Sequence, residues 1–301
     1  MRTMLPTFVA GDLSPELAGV AAALEKLGKT PLDCVRAAQA ITYATPNQSE
    51  IQQWKRDLLE AGCDTQNDWL ERVIVSYAAL DSLPRIDDLR VHPAVKMLIR
   101  KECKSFASPA RQPIVVGTDA FITAIYIATL RRFPAGPIDW VISGLPRSFF
   151  LRMPLAGIPK ALWYSLVHFG GFKPAFYVHL AYPPRNRGLV IEKEVRRAYY
   201  RMARSLMLQP EMKGILCSAW FHDPAALRDA PHLAALNEPY LQYGGRILTS
   251  VGEAKEDSGF LKFNPERRKL YEEGKLRIDL TLAMWPRAAA IRWAEQHPEL
   301  D

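Results

Sequence analysis

The sequence offers no paired cysteines. Its four, Cys34, Cys63, Cys103 and Cys217, have no short Cys-x-x-Cys spacing, and none of the six histidines stands at zinc-ligand distance from them. A disulfide framework and a zinc knuckle are therefore excluded as readings, no metal is expected, and free thiols in a reducing cytoplasm are the expectation. Long apolar runs are missing as well. The best candidate, Leu155–Phe169, follows Pro154, is broken by Pro159 and Lys160, and falls short of the roughly 20 residues a bilayer span needs. No opening stretch pairs a charged start with an apolar core and a small-residue cleavage site, and no repeat or low-complexity tract occurs. Acidic charge is in deficit, with 32 Asp and Glu against 39 Lys and Arg, so the chain carries +7 and a pI near 9.2. That balance favours anionic partners: a phosphorylated cofactor, an acidic carrier protein or RNA.

What is present is enough apolar material for a full core. At 301 residues and 49% hydrophobic, the chain can bury one large domain or two smaller ones. The first 110 residues read as helical, from their starts. Ser14-Pro15 opens a helix that runs to Gly28. Thr30-Pro31-Leu32-Asp33 and Thr45-Pro46-Asn47-Gln48 each place a capping hydroxyl, a proline at the first helical position and an acceptor three residues on, and Thr65–Asp68 repeats the spacing without proline. Another helix is expected from Pro93 to about Phe106. Ser108–Pro113, with two prolines, is the linker candidate between a helical region, 1–110, and a second domain, 111–301.

After it the pattern changes. Ile114–Val116 reads as a short strand, Asp119–Arg132 as an apolar helix closed by two arginines, Phe133–Pro137 as a turn and Ile138–Ile142 as a strand. The segment from Phe149 to Phe172 is rich in Phe, Leu, Trp and Tyr. It suits a buried helix plus loop, an acyl channel, or a subunit contact that would make a homodimer. Phe176–Leu180 is a strand, Tyr182–Gly188 a turn, Ile191–Leu208 a helix, and Gly214–Ser218 another strand. On that helix Val195, Ala198, Tyr199, Met202 and Leu206 share one face, while Arg197, Arg201 and Arg204 lie opposite, where a solvated stripe or a contact with RNA or a carrier protein is expected. Later come Gly244-Gly245 before a strand at Arg246–Val251, a charged loop at Gly252–Gly259, an Asn264-Pro265 helix carrying Arg267 and Arg268 and closed by Gly274, a strand at Arg277–Leu282, and a last helix near Pro286.

Strand, glycine turn, helix, strand is a place where backbone N–H groups can meet a phosphate. The turn Arg185-Asn186-Arg187-Gly188-Leu189-Val190, followed by a helix, a strand and then Asn237, Tyr240 and Gly244, resembles the GNAT superfamily of N-acyltransferases over roughly residues 114–285. The resemblance implies an α/β (α+β) fold: a mixed, mostly antiparallel sheet flanked by helices, here preceded by the helical N-terminal region. It also implies acyl or aminoacyl transfer from an activated donor to a small-molecule amine or hydroxyl acceptor. The donor would be acyl-CoA, an acyl carrier protein or aminoacyl-tRNA, with a CoA-type thioester acting as co-substrate and no tightly bound cofactor. Arg185, Asn186, Arg187, Gly188 and Leu189 would hold the donor phosphates, and Tyr240 would protonate the leaving thiolate. On the strand before the turn, His179 can serve as base; Glu194 and Asp223 complete the catalytic candidates. Trp220, His222, Asn237 and Tyr243 are the acceptor-side candidates, and Arg197, Arg201, Arg204, Arg267 and Arg268 the contacts for a macromolecular donor. A binding module for RNA or a carrier protein that keeps the fold without the chemistry is the competing reading.

Overall fold

A computed structural model of the protein describes residues 13–45, 49–63, 68–106, 116, 118–181, 185–253, 261 and 264–301. Chain contacts divide it into two units, and the cut falls between Pro134 and Ala135, with Arg90–His92 joining the second unit. The expected caps at Thr45–Gln48 and Thr65–Asp68, the linker Ser108–Pro113, the strand at Ile114–Val116, and the loop after Gly252 lie wholly or partly outside the described residues.

The first unit holds helices α1 (Pro15–Lys26), α2 (Pro31–Ala40), α3 (Ser49–Glu60), α4 (Trp69–Ser82), α5 (Pro93–Phe106) and α6 (Asp119–Ala128), then the short strand β1 (Arg132–Pro134). Leu70 to Ala79 of α4 are buried without a break, the sign of a helix enclosed on all sides, and α1, α2, α5 and α6 pack around it. Its two buried charges are paired: Glu71 with Lys55 at 3.1 Å and Arg72 with Asp68 at 3.0 Å. At the start of α2 the Thr30 hydroxyl accepts from the Asp33 amide, and the Asp33 carboxylate accepts from the Thr30 amide at 2.9 Å, a complete reciprocal cap. Thr30→Ala is expected to cost about 1 kcal/mol in a urea titration, with Thr30→Ser close to wild type; an unshifted midpoint in the alanine variant would mean the cap contributes nothing.

One expected helix is shorter than its apolar pattern. α6 stops at Ala128, Leu130 takes a left-handed φ of 57°, and residues 132–134 form β1 where the end of the helix and the start of a turn were expected. Arg131 does not finish that helix. Its guanidinium donates to the carbonyls of Ala38, Gln39 and Ile41, closing the C-terminal end of α2, and lies over the Tyr126 ring at 4.2 Å.

The second unit is built on β2 (Ile138–Ser143), β3 (Ala175–Leu180), β4 (Gly214–Ala219), β5 (Arg246–Glu253) and β6 (Asp279–Pro286). With β1, the six-stranded sheet has the order β1-β2-β3-β4-β6-β5; β2–β3, β4–β6 and β5–β6 are antiparallel and β3–β4 is parallel. The helices are α7 (Arg147–Arg152), α8 (Gly157–Trp163) running on into a π-turn at Tyr164–His168, α9 (Glu192–Met207), α10 (Pro224–Asp229), α11 (Glu238–Leu241), α12 (Pro265–Glu272) and α13 (Arg287–Gln296). The fold is thus α/β, with a mixed and mostly antiparallel sheet flanked by helices. Register sorts the two faces. Tyr177, Leu216, Leu282 and Met284 share the face covered by Phe149, Met153, Ala161 and Phe169. Trp285 points the other way, toward Tyr199 of α9 at 6.0 Å and Trp293 of α13 at 5.3 Å. Among the described residues no helix is long and apolar enough to cross a membrane.

Candidate active site

The parallel pair is the discontinuity in the sheet. β2 and β3 register at six positions, and so do β4 and β6, but β3 meets β4 only at Phe176↔Ile215 and Tyr177↔Leu216. Beyond them, Val178–Leu180 and Cys217–Ala219 share no ladder; the Cys217 thiol, 3.9 Å from the Val178 carbonyl, is the weak link across. A parallel pair needs a crossover. Here that crossover contains the turn at Arg185–Val190 and α9.

On one face of this junction stand His179 and Tyr177, their rings 5.1 Å apart. Asp139 of β2 is in register with His179 and fully buried. Directly opposed residues on an antiparallel pair share a face, so the carboxylate and imidazole are cross-strand neighbours. The Tyr177 hydroxyl lies near Ser218 of β4, and burial raises its pKa. Asp139 escaped the sequence reading, although a lone carboxylate inside the apolar run Ile138–Ile142 was a visible signal.

On the other face three of the expected residues, His222, Asn237 and Tyr240, come together with Tyr199. Asn237 donates its Nδ2 to the Phe221 carbonyl at 2.8 Å, which turns its Oδ1 toward His222 Nδ1 at 2.7 Å. Nδ1 must therefore carry the proton, leaving Nε2 as a lone pair with no partner among the described residues, inside a residue only 2% exposed. Burial holds the imidazole neutral, its pKa pushed down to about 4. The Tyr240 ring stands 5.0 Å from His222 and 6.3 Å from Tyr199. Its hydroxyl is buried near that of Tyr199, outside hydrogen-bond geometry, while Tyr199 itself donates to the Leu236 carbonyl at 3.0 Å. Burial keeps Tyr240 protonated far above the usual phenol range.

The remaining candidates are placed differently. Asp223 uses one carboxylate oxygen to cap α10 at Ala225 N, 2.7 Å, and the other to accept from Asp279 N, 2.8 Å. Glu194, in the first turn of α9, pairs with Arg197 at 2.9 Å. Trp220 packs beside the small cluster of Ala226, Leu261 and Ile278. Tyr243 stacks on Trp293 at 5.5 Å, and its carbonyl accepts from Trp285 Nε1 at 2.8 Å.

At the turn, Arg187 is exposed, Leu189 is buried, and the side chains of Arg185 and Asn186 lie outside the described residues. Gly188 has no left-handed φ; a Cβ there would meet Pro137 at 3.2 Å, so the glycine lets the turn close on the β1–β2 connection. Glu192 and Glu194 both sit in the first turn of α9.

The arginines of α9 are not the solvated stripe their spacing suggested. None of Arg197, Arg201 and Arg204 is fully exposed. Arg201 donates to the Ala135 carbonyl at 2.6 Å, and desolvation lowers its pKa. On α12, Arg267 donates to the Asp229 carbonyl at 2.9 Å, whereas Arg268 is exposed. Among the described residues no cluster of His, Cys, Asp and Glu is arranged to hold a metal ion. Comparison of the chain with protein-family models, with curated proteins and with solved structures finds no match.

Proposed function

We propose that the second unit is an acyl- or aminoacyl-transferase of the GNAT kind, taking its acyl group from acyl-CoA, an acyl carrier protein or aminoacyl-tRNA. One observation carries the reading: the sheet's parallel pair stops pairing after two positions, so an extended donor arm can lie between the ends of β3 and β4. The edge of β4 beyond Leu216 would then face that arm, and an amide there aimed at the thioester carbonyl would stabilise the developing oxyanion. The turn at Arg185–Val190 and the N-terminus of α9 face the donor's phosphates.

A ligand between the strands meets groups from both faces. His179, beside Asp139, takes the proton from the attacking amine or hydroxyl. Tyr240, held protonated by burial, gives one to the leaving thiolate or ribose oxygen. The competing reading, a module that binds RNA or a carrier protein without chemistry, draws its support from the chain's net charge of +7, which favours anionic partners whether or not any chemistry follows.

The test incubates the protein with each donor and a panel of amines, and measures acyl transfer alongside thermal shift. Transfer is expected from one donor, with His179→Ala and Tyr240→Phe each about 100-fold slower. Salt-sensitive binding of RNA or carrier protein without turnover would favour the module. No product and no shift with any donor would end both readings.

A further inference from the structure

The segment between β2 and β3 carries an apolar surface that the fold does not use. On α8 and its π-turn, Ala161 and Ser165 face inward, Ser165 Oγ donating to the Ala161 carbonyl at 2.7 Å. The opposite side shows Leu162, Trp163, Leu166 and Val167, which are 36%, 63%, 58% and 52% exposed. Residues four apart are neighbours on a helix, so these form one continuous outward face. Leu151 at the end of α7 and Leu155 after it are 88% and 85% exposed. Side chains so fully outside protrude; they do not line a groove.

Charge decides what covers them. From Trp140 to Ile191 the chain contains no Asp or Glu, while Arg147, Arg152, Lys160, Lys173, Arg185 and Arg187 fall within it. Arg147, Arg152 and Lys160 are exposed and make no ion pair among the described residues. The packed element that approaches Arg152 is β5, where Gly252 lies against its aliphatic stem; Glu253 follows, without pairing to it. A second copy docking by the same face would set these cations against themselves, since a two-fold contact apposes a patch to its own image.

We propose that α7, α8 and the π-turn form a docking surface for an anionic lipid bilayer. Leu151, Leu155, Leu162, Trp163, Leu166 and Val167 enter the interfacial layer, and Arg147, Arg152 and Lys160 engage phosphate headgroups. A bilayer surface is deformable and needs no shaped partner, indole is favoured at the headgroup level, and cations around an apolar helix face add attraction to anionic lipid. This lies on the membrane without crossing it. It does not depend on the transferase reading.

The experiment is co-sedimentation of the full chain with vesicles of phosphatidylglycerol and phosphatidylcholine in equal parts, against vesicles of phosphatidylcholine alone. Binding is expected to the anionic vesicles and to weaken with salt. The doubly substituted Leu151→Glu, Leu155→Glu protein should lose about tenfold or more in affinity, because burying each leucine contributes that order. Arg152→Glu with Lys160→Glu should lose about tenfold or more on anionic vesicles, each cation being worth roughly fivefold, with no loss on neutral ones. All four positions are exposed, so folding checked by circular dichroism should be unchanged. No binding to anionic vesicles, binding by both variants as tight as the wild type's, a dimer abolished by Leu151→Glu, or capture of an acidic carrier protein in place of vesicles would each overturn the proposal.

Discussion

Gly214→Ala should destabilise the protein by about 4 kcal/mol, the largest single loss expected from any glycine. Gly214 opens β4 with a φ of 151°, where a side chain is disfavoured. Added there, a Cβ would stand 2.3 Å from the Trp285 carbonyl oxygen, 2.8 Å from the Phe169 ring and 2.9 Å from the Arg287 amide. None of these can step aside cheaply. Two are backbone atoms, and the backbone on either side is pinned: Lys213 N donates to Pro174 O, and Arg287 N to Lys213 O, both at 2.9 Å. The strained backbone costs roughly 1–3 kcal/mol and the forced overpacking a similar amount. The neighbouring pair Phe176↔Ile215 begins the parallel junction, so the strain falls on the one place where β3 and β4 are held together in register. Gly19→Ala is the control: it is helical with nothing within 4 Å of an added Cβ, and should gain up to about 1 kcal/mol. Equilibrium urea unfolding of both variants checks this; a loss below about 1 kcal/mol at Gly214 would show that the start of β4 can relax.

The elements around that junction were legible because their signals are local. Alternating or continuous apolar runs gave β2, β3 and β4 to within a residue or so, and Asn264-Pro265 with Gly274 bracketed α12, the asparagine accepting from Arg267 N at 3.0 Å. Where the reading erred, a distant group decided. The pattern of α6 continues past Ala128, yet Arg131 is drawn away by carbonyls about 90 residues earlier. The Arg197, Arg201, Arg204 spacing correctly marks a face opposite the core side chains, but the Ala135 carbonyl that claims Arg201 lies 66 positions back. The candidate site divides in the same way. His179 follows from its strand, and the residue types His222, Asn237 and Tyr240 were visible. Their burial as one polar knot was not, because it depends on Asn237 reaching Phe221 across 16 residues. Asp223 shows the reverse: its place before Pro224 is the ordinary mark of a helix cap, and the cap is what it forms.

That knot sets the last expected result, a dependence of stability on pH traceable to one imidazole. Unfolded, His222 takes up a proton near pH 6.5; folded, it does so only near pH 4, because burial penalises the charged ring more than its bond to Asn237 favours it. Through this window the unfolded chain binds more protons than the folded one, so stability falls as pH falls. The full effect is on the order of 3 kcal/mol, about 2 of which should appear between pH 7 and pH 4.5. The groups touching the ring, Phe221, Asn237 and Tyr240, bring no charge that could offset it. Elsewhere, His92 is depressed by burial and adds in the same sense, while Glu238, raised by burial and by Glu192, works against it. His222→Phe separates these contributions. It leaves the Asn237 oxygen unpaired at every pH, a constant cost, and removes only the proton linkage. Urea unfolding at the two pH values should therefore give the variant a loss on acidification smaller than the wild type's by about 2 kcal/mol. Equal losses in the two proteins would mean that the His222 ring is hydrated and titrates near its ordinary value. In that case Nε2 would not be an enclosed lone pair.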